Sequence, residues 1–478
     1  MLLRPALYVL VFAICVGLLA RVPSAAVRKS ILLVASYALY LSWEPWFAAV
    51  LFSSTLMNFA VGQWLRRTGS RVMLAIGIGL NVSLLGAFKY LPEHAMHLGA
   101  LGFFANVALP LGLSFWTFQA MSYLFDLYRG EDLDPSLAEF ALYMAFFPVT
   151  ISGPICRMPD MLPQFRSENV TEWNEIAEGM RRIAIGIFMM ELARLLGQGI
   201  LSGDGIDGGF DRMTHWTAGD VWCLAFGFGL QLFFDFAGYS HIAIGAAKAL
   251  GFTVPENFQR PFHSTTPSIF WTRWHMSLSF WIRDYVFLPL AMFRRELWWR
   301  NLVLILSMVL FGLWHKATAL FVIWGCYHGV LLVLHRQIQQ FQKRFNRRPS
   351  SSPWLALSWL LTISLVSLGW IFFRARSLDQ ADAMLTAVLS PAGYAGHFLS
   401  GSLYLLVLAL GAGYFLATWT TDVVQSYEAD PTRHGAMGTL ARWRWYWLPP
   451  LYAVSLLFLS IVTFTHGSSA AQLMYRRF

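Results

Sequence analysis

The chain has 478 residues, of which 57% are hydrophobic and only 13% are charged, whereas soluble domains average roughly 45–50% apolar and about 25% charged residues. This composition excludes a soluble enzyme held by one anchor, because no polar stretch is longer than a loop. The net charge of +9 does not indicate a nucleic-acid partner, since the lysines and arginines form short clusters between apolar runs instead of one basic face.

Apolar runs long enough to cross a bilayer recur along the chain. About 20 mostly apolar residues span the hydrocarbon core, and such runs include residues 6–20, 31–60, 354–373 and 448–464. We count roughly ten to thirteen candidate segments. The sequence therefore predicts an all-α, polytopic integral membrane protein, with one membrane domain over residues 1–478.

The N-terminal run and the basic clusters indicate how the chain enters and crosses the membrane. Arg4, the apolar run after it and the small residues at 23–26 resemble a secretory signal peptide. Because another apolar segment follows within a few residues, we interpret the run as a first transmembrane helix. The positive-inside rule places the basic loops at 66–71 and 343–348 in the cytoplasm.

Residues 257–283 differ from the other polar stretches, because aromatic side chains alternate there with Arg273, His275 and Arg283. Aromatic rings favour the headgroup level of a bilayer, and charged side chains near the boundary can snorkel or pair. Two interpretations fit this pattern: a short amphipathic helix lying against the membrane core, or an interfacial anchor.

His315 is the first candidate for chemistry. It follows the uncharged run 302–314, and a titratable residue at the edge of such a segment is a functional candidate. A neutral histidine can take the proton of a hydroxyl as that hydroxyl attacks an acyl carbonyl. The alternative is a hydrogen-bonded structural histidine that packs helices.

Other polar residues in apolar surroundings are weaker candidates. His275 could orient the substrate or a catalytic imidazole. Asp235 could orient a histidine or an arginine, or could pack a helix bend at Gly238. One helix over 316–335 would separate His328 from His315 by about 20 Å and turn them to opposing faces. This favours a role for His328 in packing or in supporting residues that contact the substrate.

Motifs for other chemistries are missing from the sequence. It contains no GxSxG nucleophile elbow, no HExxH metal helix and no glycine-rich phosphate loop. The four cysteines lack CxxC spacing, so we assign them no redox or metal role. We expect no metal cofactor.

The motifs resemble those of the membrane-bound O-acyltransferase family, in its bacterial branch with the alginate O-acetylation and teichoic-acid D-alanyl transfer proteins. The blocks that carry the resemblance follow the family's order: ILLVASYALYLSW (31–43), LPLGLSFWTFQAMSYLFDLYRG (109–130), FFPVTISGPICRMPDMLPQF (146–165), QLFFDFAGYSHIAIGAAKALGF (231–252), PENFQRPF (255–262), FWTRWHMSLSFWIRDYVFLPL (270–290), GLWHKATALFVIWGCYHG (312–329) and WIFFRA (370–375).

The resemblance implies roles for two histidines. The family's catalytic histidine, on an LWHG-like motif, falls on His315, and its second characteristic histidine, on an RRWH-like motif, falls on His275. It further implies membrane and interfacial helices around a central funnel, with His315 between a cytoplasmic donor and an acceptor on the outer face. Acetyl-coenzyme A is the implied donor of an alginate-type member.

Three positions depart from the family pattern. Lys316 stands where the family has glycine, Thr272 replaces the polar or basic residue before Arg273, and the loop 291–300 lacks the GGNR-like stretch of alginate-type members. Lys316 could contact the phosphates of the donor or lower the pKa of the histidine. We name Lys316, Arg273 and Asp235 as candidate donor-binding residues.

These features predict a multi-pass enzyme of the cell inner membrane, surrounded by membrane lipid. We expect it to move acetyl onto an exopolysaccharide or onto a hydroxyl of a periplasmic partner protein, with His315 as general base and His275 assisting. The alternatives are D-alanyl transfer from a carrier protein to a cell-wall polymer, a non-catalytic transporter of acyl donor or glycan precursor, and a scaffold for a secretion complex.

Overall fold

The computed structural model describes residues 3–92, 108–200, 204–344 and 352–429, with 438–439, 443, 446, 454–455 and 457. Within these ranges the regular structure is helical. The α-helices are α1 (Leu3–Leu19), α2 (Ala25–Trp43), α3 (Pro45–Thr68), α4 (Arg71–Leu85), α5 (Leu113–Tyr128), α6 (Leu137–Ala145), α7 (Met158–Arg166), α8 (Trp173–Gln198), α9 (Ile206–Asp211), α10 (Ala218–Ala249), α11 (Pro267–Trp271), α12 (Met276–Ile282), α13 (Leu288–Ala291), α14 (Leu297–His315), α15 (Ala319–Arg344), α16 (Ser352–Arg374), α17 (Leu378–Leu389) and α18 (Gly401–Ala429).

Eight helices of the described residues are long and apolar enough to cross a membrane. They are Ala25–Trp43, Pro45–Thr68, Arg71–Tyr90, Ala218–Ala249, Leu297–His315, Ala319–Arg344, Ser352–Arg374 and Gly401–Tyr427. A bilayer enforces this architecture, because a helix satisfies its own backbone polar groups in hydrocarbon. The prediction of an all-α polytopic membrane protein is confirmed. The run at 6–20 forms the shorter α1, and the run at 448–464 falls outside the described residues apart from 454–455 and 457.

Local signals set the ends of the helices. The helix α3 begins with Pro45 in its first turn, where the missing N–H costs nothing. It ends at Gly69, whose left-handed backbone lets its N–H donate to Leu65 O at 2.8 Å. Ser136 and Glu139 form a reciprocal capping box at the start of α6.

The described residues group into two compact units. The first takes residues from 1–186, 239–259 and 274–300, and the second from 187–238, 260–273 and 301–478. In the first unit, α5 packs against α3 and α4. The buried amides of Asn58 and Asn81 exchange hydrogen bonds of 3.2 and 2.7 Å between α3 and α4, a polar contact typical of neighbouring membrane helices.

In the second unit, glycines let α14 and α15 approach closely. A Cβ added at Gly325 would lie 2.5 Å from Met308 O, and one at Gly329 would lie 2.8 Å from Ile305 Cα. Small residues four apart allow such backbone contact between membrane helices. This contact fixes the end of α14, and therefore His315, against α15.

The segment 257–283, for which we weighed a short amphipathic helix against an interfacial anchor, contains the two short helices α11 and α12. Its aromatic residues Phe270, Trp271, Trp274 and Trp281 are buried. Rings that lie inside the protein pack the segment against the core, so they cannot serve as anchors exposed to the headgroups.

Candidate active site

His315 is the last residue of α14 and lies buried among aromatic rings of the second unit. The ring of Phe311, one turn earlier, stacks on the imidazole at a centroid distance of 5.7 Å and an interplanar angle of 14°. Phe373 approaches edge-on at 5.0 Å, and Trp324 at 6.2 Å. Trp314 and Phe321 complete the set.

Three helices supply the rings around His315, which we call the aromatic cage: Phe311, Trp314, Phe321, Trp324 and Phe373. They come from α14, α15 and α16. The cage orients the imidazole and restricts the access of water to it.

His328 lies on α15, close to the same cage. It is 1% exposed, and its ring centroid is 4.9 Å from that of Trp324 and 5.2 Å from that of Trp271. Since His315 also contacts Trp324, the expected separation of about 20 Å along one helix is wrong. The physical reason is that α14 ends at His315 and a new helix begins at Ala319, so both histidines turn toward Trp324.

His275 precedes α12 and belongs to the first unit, whereas His315 belongs to the second. It is 2% exposed and has a left-handed backbone with φ of 43°. A non-glycine residue in this region is strained, and such strain concentrates at functional sites. Burial lowers the pKa of His275 to about 3, so the imidazole is neutral at neutral pH.

Asn257 holds the residues that follow His275, and sequence reasoning missed it. Its carbonyl accepts from Met276 N at 2.8 Å and its Oδ1 accepts from Ser277 Oγ at 2.6 Å. Its Nδ2 donates to Ser240 Oγ at 3.0 Å. The asparagine is fully buried, and the only signal for it was its place in the block PENFQRPF.

A charged cluster of the first unit lies just beyond α12. Asp284 accepts from Arg157 Nη2 and from Arg283 Nε, both at 2.7 Å. Burial raises the pKa of Asp284, but the hydrogen bonds from Arg283 and Arg157 outweigh this effect, so its pKa lies below the usual value. The adjacent Tyr285 donates to Asp126 at 2.8 Å. No motif or spacing in the sequence predicts these pairings.

The three candidate donor-binding residues lie on different elements. Lys316 directly follows His315 in the connection to α15, is half-buried, and donates its N–H to Gly312 O at 3.3 Å. Arg273 is half-buried just after α11, and Asp235 is buried inside the continuous α10. Of these residues, Lys316 alone adjoins His315 in the chain, and the donor-binding roles stay predictions.

Comparisons with known proteins give the family. The model of the membrane-bound O-acyltransferase family matches residues 106–374. A probable alginate O-acetylase of Azotobacter vinelandii is 31% identical over 94% of this chain and 95% of that protein. A peptidoglycan O-acetyltransferase of Helicobacter pylori is 31% identical over 75% of this chain and 73% of that protein. A teichoic acid D-alanyltransferase of Bacillus subtilis is 29% identical over 60% of this chain and 71% of that protein. The chain therefore belongs to the membrane-bound O-acyltransferase family.

Proposed function

We propose that this membrane O-acyltransferase moves an acetyl group from acetyl-coenzyme A, bound from the cytoplasm, onto a hydroxyl of an exopolysaccharide or of a periplasmic partner protein. Its place would be the cell inner membrane, as a multi-pass protein among membrane lipids. The observation that carries the proposal is His315 at the end of a membrane-spanning helix, enclosed by the aromatic cage.

The imidazole of His315 acts as general base in this proposal. It takes the proton of the acceptor hydroxyl while the oxygen attacks the thioester carbonyl carbon. The tetrahedral intermediate then collapses, the C–S bond breaks, and the leaving thiolate receives the proton from the imidazolium. The products are an acetyl ester and free coenzyme A thiol, and the base is regenerated.

His275 assists as a buried neutral imidazole, able to donate one hydrogen bond and to accept another. Its strained backbone and its bracing through Asn257 support a functional role over simple packing. Lys316 supplies a cation beside His315 and would pair with the phosphates of coenzyme A, with Arg273 as a second candidate.

The acceptor class is suggested by the names of the relatives. The relatives of Azotobacter vinelandii and Helicobacter pylori are named as O-acetylating proteins that act on alginate and on peptidoglycan, and the alignment with the former covers nearly the whole chain. D-alanyl transfer from a carrier protein is the second candidate, favoured by the relative of Bacillus subtilis. A non-catalytic transporter lacks comparable support.

Transfer of radiolabelled acetyl from acetyl-coenzyme A tests the proposal. Membranes would carry the wild type, His315→Ala or His215→Ala, each together with the periplasmic partner protein. His215→Ala is the control, because His215 is exposed. We expect label on glycan or partner protein with the wild type and the control, and a loss of roughly 10²–10⁴-fold with His315→Ala.

Equal labelling by all three proteins would remove His315 from the reaction. Labelling by none, with folded protein in the membrane, would contradict acetyl-coenzyme A as donor. In that case, transfer from a D-alanyl-loaded carrier protein would establish the second candidate.

A further inference from the structure

The imidazole of His328 is a polar group inside an aromatic surrounding of the second unit. Its neighbours are the rings of Trp271, Trp324, Tyr327 and Trp370, at centroid distances of 5.2, 4.9, 5.3 and 6.5 Å. The residue is 1% exposed. Among the described residues, neither of its ring nitrogens has a hydrogen-bond partner.

Such a group calls for an explanation, because buried polar atoms in folded proteins are almost always paired. The packing of α16 also constrains the position of His328. A Cβ added at Gly369 would lie 2.5 Å from its Nε2, so glycine at this position allows the imidazole to reach the backbone of α16. The histidine is thus held in a defined place, and the part of the chain that the structure describes offers its nitrogens no hydrogen-bond partner.

We propose that His328 is a donor-binding residue that hydrogen-bonds an amide of the pantetheine arm of the acyl donor, an inference that rests on the proposed thioester chemistry. The arm alternates short methylene stretches with neutral amides. The imidazole lies among rings that also carry the indole N–H groups of Trp271 and Trp324, which have no partner among the described residues. This surrounding matches the pattern, because the methylenes pack on the rings and an amide can meet the imidazole and an indole N–H.

The other reactants fit the surroundings of His328 less well. A phosphate or a carboxylate would lack a counter-charge among these rings, and burying an unpaired ion is costly. A sugar carries several hydroxyls that need acceptors as well as donors, whereas the indole N–H groups of Trp271 and Trp324 can only donate. The hydroxyl of Tyr327 is already used, since it donates to Leu365 O at 2.7 Å.

The location agrees with a donor that reaches His315 from the cytoplasm. From His315 the aromatic contacts lead through Trp324 to His328. His328 lies further along α15 toward Lys343 and Arg344 in the last turn, the end that the positive-inside rule assigns to the cytoplasm. The amide nearest to the thioester sulfur is only a few bonds from the reacting carbonyl. This short spacing suits an amide at His328 and a carbonyl at His315, because the ring of Trp324 contacts both histidines.

A donor-truncation experiment tests the inference. The wild type, His328→Phe and His328→Asn would be assayed with acetyl-coenzyme A and with two short thioesters. S-acetyl-N-acetylcysteamine keeps the first amide of the arm, and S-butyl thioacetate replaces it with methylenes. Phenylalanine preserves the ring packing and removes the hydrogen-bonding nitrogens, whereas asparagine preserves a neutral polar group.

We expect His328→Phe to lower kcat/KM by about 10-fold for the donors that carry the amide, mainly through KM, and to leave the value for S-butyl thioacetate unchanged. His328→Asn should recover part of the loss. Gly369→Ala, which displaces the imidazole, should act in the same direction as His328→Phe. Acetyl-coenzyme A compared with an acetyl-loaded acyl carrier protein would show which source of pantetheine the protein uses.

An equal loss for both short thioesters would overturn the inference, because a purely structural histidine gives that result. Failure of the proposed function is distinct: the wild type would then transfer acetyl from none of the donors. His315→Ala, assayed with S-butyl thioacetate, establishes that the reaction of the short donor takes place at the same site.

Discussion

At the scale of single residues, the backbone around His275 depends on a neighbouring asparagine. Asn257 bridges two segments of the first unit through its backbone carbonyl and both side-chain atoms, and its partners include Ser240 and Ser277. These bonds fix the backbone that follows His275. The residue thereby stabilises the strained backbone conformation of the histidine.

We predict that Asn257→Leu destabilises the protein by about 2–4 kcal/mol, since it leaves two buried hydroxyls without their partner. Thermal unfolding in detergent or nanodiscs would measure the loss. Ser277→Ala, which removes one hydrogen bond and the hydroxyl with it, serves as the milder comparison. A melting temperature of Asn257→Leu equal to that of the wild type would contradict the role of the bridge.

At the scale of elements, the pair α14 and α15 sets the position of the catalytic candidate. Gly325 lies directly against the backbone of Met308, and Gly329 against that of Ile305. Any side chain at these glycines pushes the two helices apart. Because His315 ends α14, the geometry of the aromatic cage depends on this contact.

We predict that Gly325→Ala costs about 1–3 kcal/mol of stability through overpacking and lowers acyl transfer by displacing His315. The matched control is Gly413→Ala on α18, where an added Cβ meets no atom within 4 Å. There we expect unchanged activity and equal or slightly greater stability, because alanine favours helix. Equal melting temperatures of the two variants would refute the close-packing argument.

A buried carboxylate in the first unit joins three helices. Glu139 on α6 accepts from Lys29 Nζ at 2.8 Å and from Arg166 Nη2 at 3.0 Å, which come from α2 and α7. The hydrogen bond from Arg166 is the largest of the contacts that hold the pKa of Glu139 well below its usual range. The ionised carboxylate therefore stabilises the folded protein.

This stabilisation has a defined pH dependence. The stabilisation is complete at pH values above the pKa of a glutamate in the unfolded chain, about 4.3. It is lost as the pH falls below that value toward the lowered pKa of Glu139 in the folded protein. We predict that Glu139→Gln lowers the free energy of unfolding at pH 7 by about 1–2 kcal/mol and therefore lowers the melting temperature. The loss is modest because Lys29 and Arg166 are partly exposed, so solvent screens their attraction to the carboxylate. The difference should shrink when melting curves are recorded below pH 4, and a constant difference would contradict the assignment.

At the scale of the whole molecule, the sequence predicted the class of fold because the bilayer leaves few choices. Long apolar runs must become helices, and the eight candidate spans of the described residues bear this out. His315 stood out for the same reason, as a polar residue at the end of an apolar run. The family and its enzyme class followed from ordered motifs.

The contacts around the candidate residues of each unit were beyond the reach of sequence reasoning. The break between α14 and α15 is only a few residues long, and a single helix over 316–335 places His328 far from His315. The bond between Asn257 and Ser277 depends on how a loop folds back, which no periodicity records. The pairing of Arg157 with Asp284 joins residues far apart in the chain.

The left-handed backbone of His275 has a consequence for the evolution of this position. Glycine and asparagine enter that conformation readily, whereas most other residues add strain of their own. The effects of substitutions at residue 275 would therefore have two sources: the strain of the left-handed backbone and the loss of the imidazole. Asparagine separates them, because it adopts the left-handed backbone but lacks the imidazole. A relative that does not need the imidazole is therefore expected to carry asparagine or glycine at this position.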